Sequence, residues 1–507
     1  MRWNCVIVLM VLGASACAQT DQHETLLHQD FRHESDHVKE ACGTFALKAM
    51  GGCAAELVTD HPLHIALGSI APQNGFGFGA AFVAHKTPNE QWRLSWDLDA
   101  VGASSGAWRA GGYMKIIHTP TAKFKTTYPG EDEASNKKKA KKPKIHPYTV
   151  FDVYAQNTSL PKLLFYGLGP SSLQTGRTFF GMQQAIIGGN VMSPINNWSL
   201  FEKLNVSLLG SINGRFVDIQ GNRTQSSPSI EQFYTEATAP GLVRQPGFLQ
   251  LGEGVRIKPA TDHFHLNYLV NFQQFFAPSD SRYSFRRWTV DLGHEYLIYG
   301  KSQLIRPKDA KELDPKTKET DKCTLQADSE CPSVTESARP SLINGPDECA
   351  SAPDEKCPSI SYSRNREGTI AFRFLMSESI ASAGSTVPFY FQPTLGGSDI
   401  NGNPALSSYA DYRFRGPNLL LLRESFEHSL WGPLGFTFMA DQGKVALTRS
   451  DTDFQNLKHS FATGITLRAG GFPQVFLLFA WGGNEGHHTI ASVNTALLGG
   501  SSRPSLF

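Results

Sequence analysis

The chain is predicted to be all-β, with sixteen antiparallel strands closing into a transmembrane β-barrel. Three observations lead there. First, apolar and polar residues alternate with period two in runs of about ten residues or more, the length a tilted strand needs to cross a bilayer. Second, no stretch beyond the N-terminal segment is long and apolar enough for a transmembrane helix, so a chain that enters a membrane must do so as a closed barrel. Third, the 507 residues include 33 Phe and 46 Gly but only 18% charged residues, while mean hydropathy stays slightly negative. Alternation has that effect, because polar positions mask an apolar face in the average. The net charge of +1 argues against a nucleic-acid partner.

Residues 1–18 read as a signal peptide. Arg2 supplies a short positive region, Cys5 to Leu12 an apolar core, and Ala16-Cys17-Ala18 a cleavage site after Ala18. Cys17, preceded by Ala14-Ser15-Ala16, is alternatively a lipid-modified cysteine. Residues 19–62 form a short polar segment with helix character near Glu40 to Leu57, and the barrel is assigned to 63–507.

The alternation begins at His64. Trp92, Leu94, Trp96, Leu98 and Ala100 alternate with Arg93, Ser95, Asp97 and Asp99. Leu204, Val206, Leu208, Ile212 and Phe216 do so with Asn205, Ser207, Ser211, Asn213 and Arg215. Similar runs surround Trp288, Phe372 and Ile465. The predicted strands are 64–71, 75–85, 91–103, 107–119, 148–158, 178–195, 203–217, 248–258, 263–276, 284–300, 363–378, 418–430, 433–442, 459–469, 474–483 and 488–499. The even count suits a bacterial barrel. A secreted β-sandwich also alternates, but its strands are usually about five or six residues long, and its charged positions would face water.

Three insertions interrupt the strands and read as loops or local disorder: 120–147 with a lysine run, the Gln/Ser/Pro-rich 218–247, and the charged 301–360. The lysine run could meet anionic headgroups or a partner, although a solvated loop explains it as well. Beyond the leader lie Cys42, Cys53, Cys323, Cys331, Cys349 and Cys357. An even number in an exported chain suggests disulfides. Cys42 and Cys53 form a natural local pair; the other four have no readable connectivity. Their separations of 7, 17 and 7 residues do not fit the short pairs of structural zinc.

Motifs for chemistry are weak. His33-Glu34-Ser35-Asp36-His37 matches the zinc-protease pattern H-E-x-x-H, without a third ligand and within a charged, polar segment. Gly102-Ala103-Ser104-Ser105-Gly106 matches G-x-S-x-G but lies between two strands with no helix after it, so a hairpin turn explains it. In Gly75-Phe76-Gly77-Phe78-Gly79 the glycines permit curvature or close packing within a strand. No P-loop and no catalytic triad is evident. The expectation is a protein without enzymatic activity, cofactor or metal.

The stretch from Val387 to Gly443 resembles the BamA/TamA family of outer-membrane barrels. Pro388-Phe389-Tyr390, followed by Gly396 and Gly397, resembles the start of the family's long loop, and Met439-Ala440-Asp441-Gln442-Gly443 its F-x-D-x-G strand motif. Phe165-Tyr166-Gly167-Leu168-Gly169-Pro170 is similar to a further segment of these barrels. The resemblance implies an extracellular loop folded into the lumen, its tip arginine paired with the aspartate, here Asp441. The tip departs from the pattern: Leu406-Ser407-Ser408-Tyr409 stands where L-R-G-Y is expected. Arg413 or Arg415, just downstream, would take over the contact; alternatively Asp441 pairs with another lumenal arginine, since a buried carboxylate needs a guanidinium-like partner. The family's periplasmic POTRA domains have no room in residues 19–62. If the 379–417 loop is extracellular, strand parity puts 120–147 and 301–360 on the periplasmic side.

The resemblance implies outer-membrane protein insertion or polypeptide or lipid export, in contact with outer-membrane lipid and with client chains or other envelope proteins. A passive pore or surface barrel is the alternative, favoured by the missing tip arginine and client module. A secreted β-rich binding protein or enzyme is the third.

Overall fold

The computed structural model describes residues 63–89, 91–119, 148–195, 199–222, 227–259, 263–305, 360–469, 472–483, 485–493 and 504. The cleavage site, the H-E-x-x-H match, all six cysteines and the lysine run lie outside them. The chain divides into two units. The first is residues 1–65 and 80–83; the second, residues 66–79 and 84–507, carries the candidate site.

Eighteen strands are described. They are β1 (Leu63–Ser69), β2 (Phe76–Asn89), β3 (Trp92–Ala103), β4 (Trp108–His118), β5 (Thr149–Phe165), β6 (Thr178–Pro194), β7 (Val206–Gly221), β8 (Phe248–Ile257) and β9 (Phe264–Phe276). They continue as β10 (Phe285–Ile305), β11 (Ile360–Ala381), β12 (Thr394–Leu395), β13 (Phe414–Arg415), β14 (Asn418–Trp431), β15 (Leu434–Ala446), β16 (Lys458–Ala469), β17 (Phe472–Gly483) and β18 (Gly486–Val493). Sixteen form one sheet in sequence order, skipping only β12 and β13, which pair with each other inside the long loop. Every predicted strand has its counterpart. The described pairings are antiparallel, so successive strands alternate in direction. β4 and β10 therefore finish at the end opposite the start of the β11–β14 loop.

Three expectations are corrected. The fifth strand continues to Phe165 rather than stopping at 158, passing Pro161 where the pairing with β6 shifts between Leu160 and Leu163. A proline lacks the ladder donor and is tolerated at such an irregularity. Residues 203 and 204 belong to a short helix, α1 (Ser199–Leu204), rather than to the seventh strand. Asn205 follows with φ 49° before β7 starts. Finally, 227–247 is an ordered loop. Its helix α2 (Ile230–Phe233) has a capping box between Ser229 and Gln232. Glu236 accepts the backbone N–H groups of Gly241 and Val243, the latter at 2.8 Å, and the Tyr283 hydroxyl at 2.6 Å.

The sheet is polar where a water-soluble protein would be apolar. On β3, Asp97 and Asp99 are 2% and 5% exposed, whereas Leu98 between them is 55% exposed. On β7, Asn213 and Arg215 are buried while Ile212 and Phe216 are exposed. The exposed face carries Trp108, Phe151, Ile187, Val255, Val270, Trp288, Ile370, Phe372, Ile465 and Phe479. Ion pairs stitch the buried face: Arg373 grips Asp291 through two 2.8 Å hydrogen bonds, and Arg468 meets Glu427 at 3.1 Å. Charge buried in pairs beside apolar side chains left outside is costly in water, where exposed apolar surface is normally covered.

The turn motifs behave locally as expected. Gly102 to Gly106 forms the β3–β4 hairpin, with Gly106 at φ 85° donating its N–H to Ala103 O at 3.0 Å. A Cβ on Gly79 would stand 2.7 Å from Val101 Cα, so that glycine permits close strand packing. The hairpin of β10 and β11 is longer than its neighbours allow. Pairing with β9 ends at Tyr296 and pairing with β14 begins at Gly368, yet β10 and β11 stay paired, across a register shift between Ile298 and Tyr299, to Ile305 and Ile360.

Candidate functional site

The site is the loop between β11 and β14, residues 382–417, and the strand positions that hold it. The loop enters through Val387 to Phe391, where a single 3-10 turn buries Phe389, Tyr390 and Phe391. Phe389 packs edge-on against Phe165 and Phe180, each at 5.2 Å, and Phe391 against Phe248 at 4.9 Å. The Arg287 guanidinium on β10 donates to Phe391 O at 2.5 Å. Its partners on β10, β15 and β16 belong to the buried polar positions of the sheet, so the loop lies on the polar face.

The two glycines then reverse the chain. Gly396 has φ 106° and Gly397 φ 58°. A Cβ on Gly396 would come within 2.5 Å of Arg413 Cβ, and one on Gly397 within 2.6 Å of Asp411 N. Glycine is required there on both counts. The returning strand β13 pairs with β12 as Thr394 with Arg415 and Leu395 with Phe414. A small apolar core of Leu395, Ala405, Leu406, Tyr409 and Phe414 closes against Leu419, Leu421 and Val445 of the sheet.

Asp441 is the anchor. It is 3% exposed, and three donors converge on its carboxylate. Arg423 donates through Nε to Oδ1 at 2.7 Å and through Nη2 to Oδ2 at 3.1 Å. The Leu406 N–H donates to Oδ2 at 2.9 Å. Arg423 also donates to Pro404 O, so one guanidinium holds the strand carboxylate and the loop backbone together. Arg423 and Asp441 are direct cross-strand partners of β14 and β15. Of the two readings of the sequence, pairing with another arginine is what occurs, and neither Arg413 nor Arg415 takes the place of the missing tip arginine. The glycine expected at Ser408 is also dispensable, because the left-handed backbone falls on Leu406, at φ 50°. Ser408 instead donates its N–H to Ser460 Oγ at 2.8 Å.

The other motif residues each have a place. Gly443 leaves room for the loop: a Cβ there would lie 2.7 Å from Leu420 O and 3.2 Å from Leu395 Cδ1. Tyr409 is buried edge-on against Phe414 at 5.1 Å, over Gly483, where a Cβ would stand 2.6 Å from its ring. Arg415 donates to Phe389 O at 2.8 Å, and burial pulls its guanidinium down to about 10. Arg413 donates to Glu485 at 2.7 and 2.8 Å and to Ser172 O at 2.7 Å, with its guanidinium 4.9 Å over the Tyr166 ring. The Phe165 to Pro170 segment thus receives the loop, and Gly169 adds an N–H to Arg415 O at 2.7 Å. Asp411 accepts Gln73 Nε2–H at 2.6 Å and the Ser398 N–H at 2.9 Å; burial pushes its carboxyl up, against the lowering effect of these donors and of His488.

Arg423 is the functional residue the sequence reading missed. The predicted strands 418–430 and 433–442 already form a tight hairpin that puts residue 423 opposite 440, one place from Asp441.

The geometry holds a loop on a polar surface. Among the described residues no cluster of three or more His, Cys, Asp or Glu side chains could hold a metal ion. Two polar cavities remain on the same face. One, about 610 Å³, is lined by Lys115, Asp152, Tyr154, Arg215 and Arg256 and touched by Pro504. The other, about 640 Å³, is lined by His265, Asp291, His294, Glu295, Arg373 and Arg423.

The chain is similar to solved structures of CdiB and BamA. CdiB from Acinetobacter baumannii superposes with a TM-score of 0.43 at 10% identity, over 85% of this chain and 58% of that one. CdiB from Escherichia coli gives 0.42 at 9%, over 83% and 59%. BamA from Haemophilus ducreyi lacking POTRA domains 1–3 gives 0.40 at 8%, over 85% and 68%. The chain thus spans about three fifths of the length of the CdiB chains it matches. No protein-family model and no curated protein matches it.

Proposed function

We propose that the sheet closes into a sixteen-stranded outer-membrane barrel of the BamA/TamA kind, with the 382–417 loop in its lumen, and that it handles polypeptides: inserting membrane proteins or passing chains across the outer membrane. The observation that carries this is the loop fastened across the polar face by Arg423, Asp441 and the Leu406 N–H. A sheet with charges inside and aromatics outside suits a lipid surround. A purely passive pore has no need of a loop gripped by three converging donors on one buried carboxylate. The missing tip arginine no longer favours that alternative, because Arg423 supplies the guanidinium from the strand.

Two measurements test the proposal. The membrane fraction should contain the protein in a form that migrates anomalously on a gel until boiled; a soluble species unaffected by boiling would end the barrel reading. Depleting the protein should lower the level of at least one exported or outer-membrane protein. An unchanged proteome, together with steady conductance in planar bilayers, would make it a pore instead.

A further inference from the structure

We propose that Asp411, Tyr412 and Arg413 form a clasp that ties the hairpins at the two ends of the sheet to each other, so that opening either end requires releasing the loop. The sheet runs from β1 at one end to β18 at the other. The turn after β1 is held by Tyr412, whose hydroxyl donates to Pro72 O at 3.1 Å, and by Asp411, which accepts Gln73 Nε2–H at 2.6 Å. The turn before β18 is held by Arg413 through both carboxylate oxygens of Glu485. Three consecutive residues therefore grip elements about as far apart in the chain as its length permits.

The grip is stiff. Tyr412 is fully buried with φ 59°, and its N–H donates to Gly396 O at 3.0 Å. Gly396 and Gly397 pack directly against Arg413 and Asp411, so closely that a Cβ on either glycine would overlap them. Arg413 is further fixed between the Tyr166 and Phe414 rings, at 4.9 and 4.6 Å, and by Ser172. Such a left-handed tyrosine persists only where its surroundings over-determine it. A shift at one hairpin must then be passed to the other rather than absorbed by the loop.

The hydrogen bonds stand irrespective of closure, but the consequence rests on the barrel reading, in which the two ends of the sheet adjoin. The test is amide hydrogen exchange on the full chain in detergent micelles, with hairpin-side variants that leave the loop intact. Glu485→Gln should raise exchange in the 70–75 turn, which it does not touch, about tenfold, the scale of a lost charge-assisted bond. Gln73→Ala should likewise raise exchange in 486–491, and the double variant should add less than the two effects combined. Exchange confined to the substituted hairpin, with additive effects, would overturn the clasp. Tyr412→Phe, lacking only the hydroxyl, serves if either variant fails to fold: it should raise exchange in 70–75 and 486–491 alike, and a rise in 70–75 alone counts against the proposal. Loss of heat-dependent gel migration in the wild type would instead count against the barrel and leave the coupling measurement standing.

Discussion

Arg423 and Asp441 face each other across β14 and β15 with side chains 13% and 3% exposed. Removing one partner of such a pair strands the other charge, which typically costs about 3–5 kcal/mol. Arg423→Met should therefore lower the unfolding free energy, measured by urea titration in micelles, by that amount, and Arg423→Met with Asp441→Asn should recover part of it. Arg413→Ala should leave this anchor intact, because its partners are Glu485 and Ser172. The sequence pointed to Asp441 by motif and to the need for an arginine by charge. It did not point to Arg423, because the motif directed attention to the loop tip while the answer lay in the register of a hairpin.

At the scale of elements, β12, β13 and the glycine pair make the loop a folded object rather than a tether. Gly443 is a point of close approach between strand and loop. Gly443→Val should push on both Leu420 O of β14 and the Leu395 side chain, at a cost of about 1–3 kcal/mol for overpacking. Trypsin should then cut after Arg413 or Arg415, sites buried in the wild type; persistent resistance would mean the loop does not depend on that gap. Fourteen of the sixteen sheet strands have ten or more residues, and they were legible because period two over that length is a strong signal. Strands β12 and β13 have two residues each, too few for any period. The 227–247 segment was legible as a loop, but its order was not, because that comes from one carboxylate collecting three donors, which composition does not reveal.

Among the described residues, strands such as β3 and β7 are organised inside out: Asp97, Asp99 and Arg215 are covered, and Leu98, Ile212 and Phe216 face outward. Ile212, 56% exposed near the middle of β7, reports on the surround. In a bilayer, Ile212→Arg should cost about 2–4 kcal/mol on refolding into lipid vesicles. On a water-facing surface the same change should fall within about 0.5 kcal/mol. Alternation alone could not decide between these settings, because a sandwich strand alternates too. Which side of the sheet is covered is a property of tertiary packing, and it adds to alternation the observation on which the lipid-facing proposal rests.

The overlong hairpin of β10 and β11 sets a distance. From Tyr299 to Ile305 β10 is paired, among the described residues, with β11 alone, which at about 3.3 Å per residue carries the ribbon roughly 23 Å past Ile298, whose partner Gly368 is the last to pair with β14. Cys323, Cys331, Cys349 and Cys357 all fall between the two ends of this ribbon, at Ile305 and Ile360. The ribbon acts as a spacer. Ile305 and Ile360 lie at the end of the sheet opposite the anchored loop, so a thiol-specific label applied to intact and to permeabilised cells should report which side that end faces.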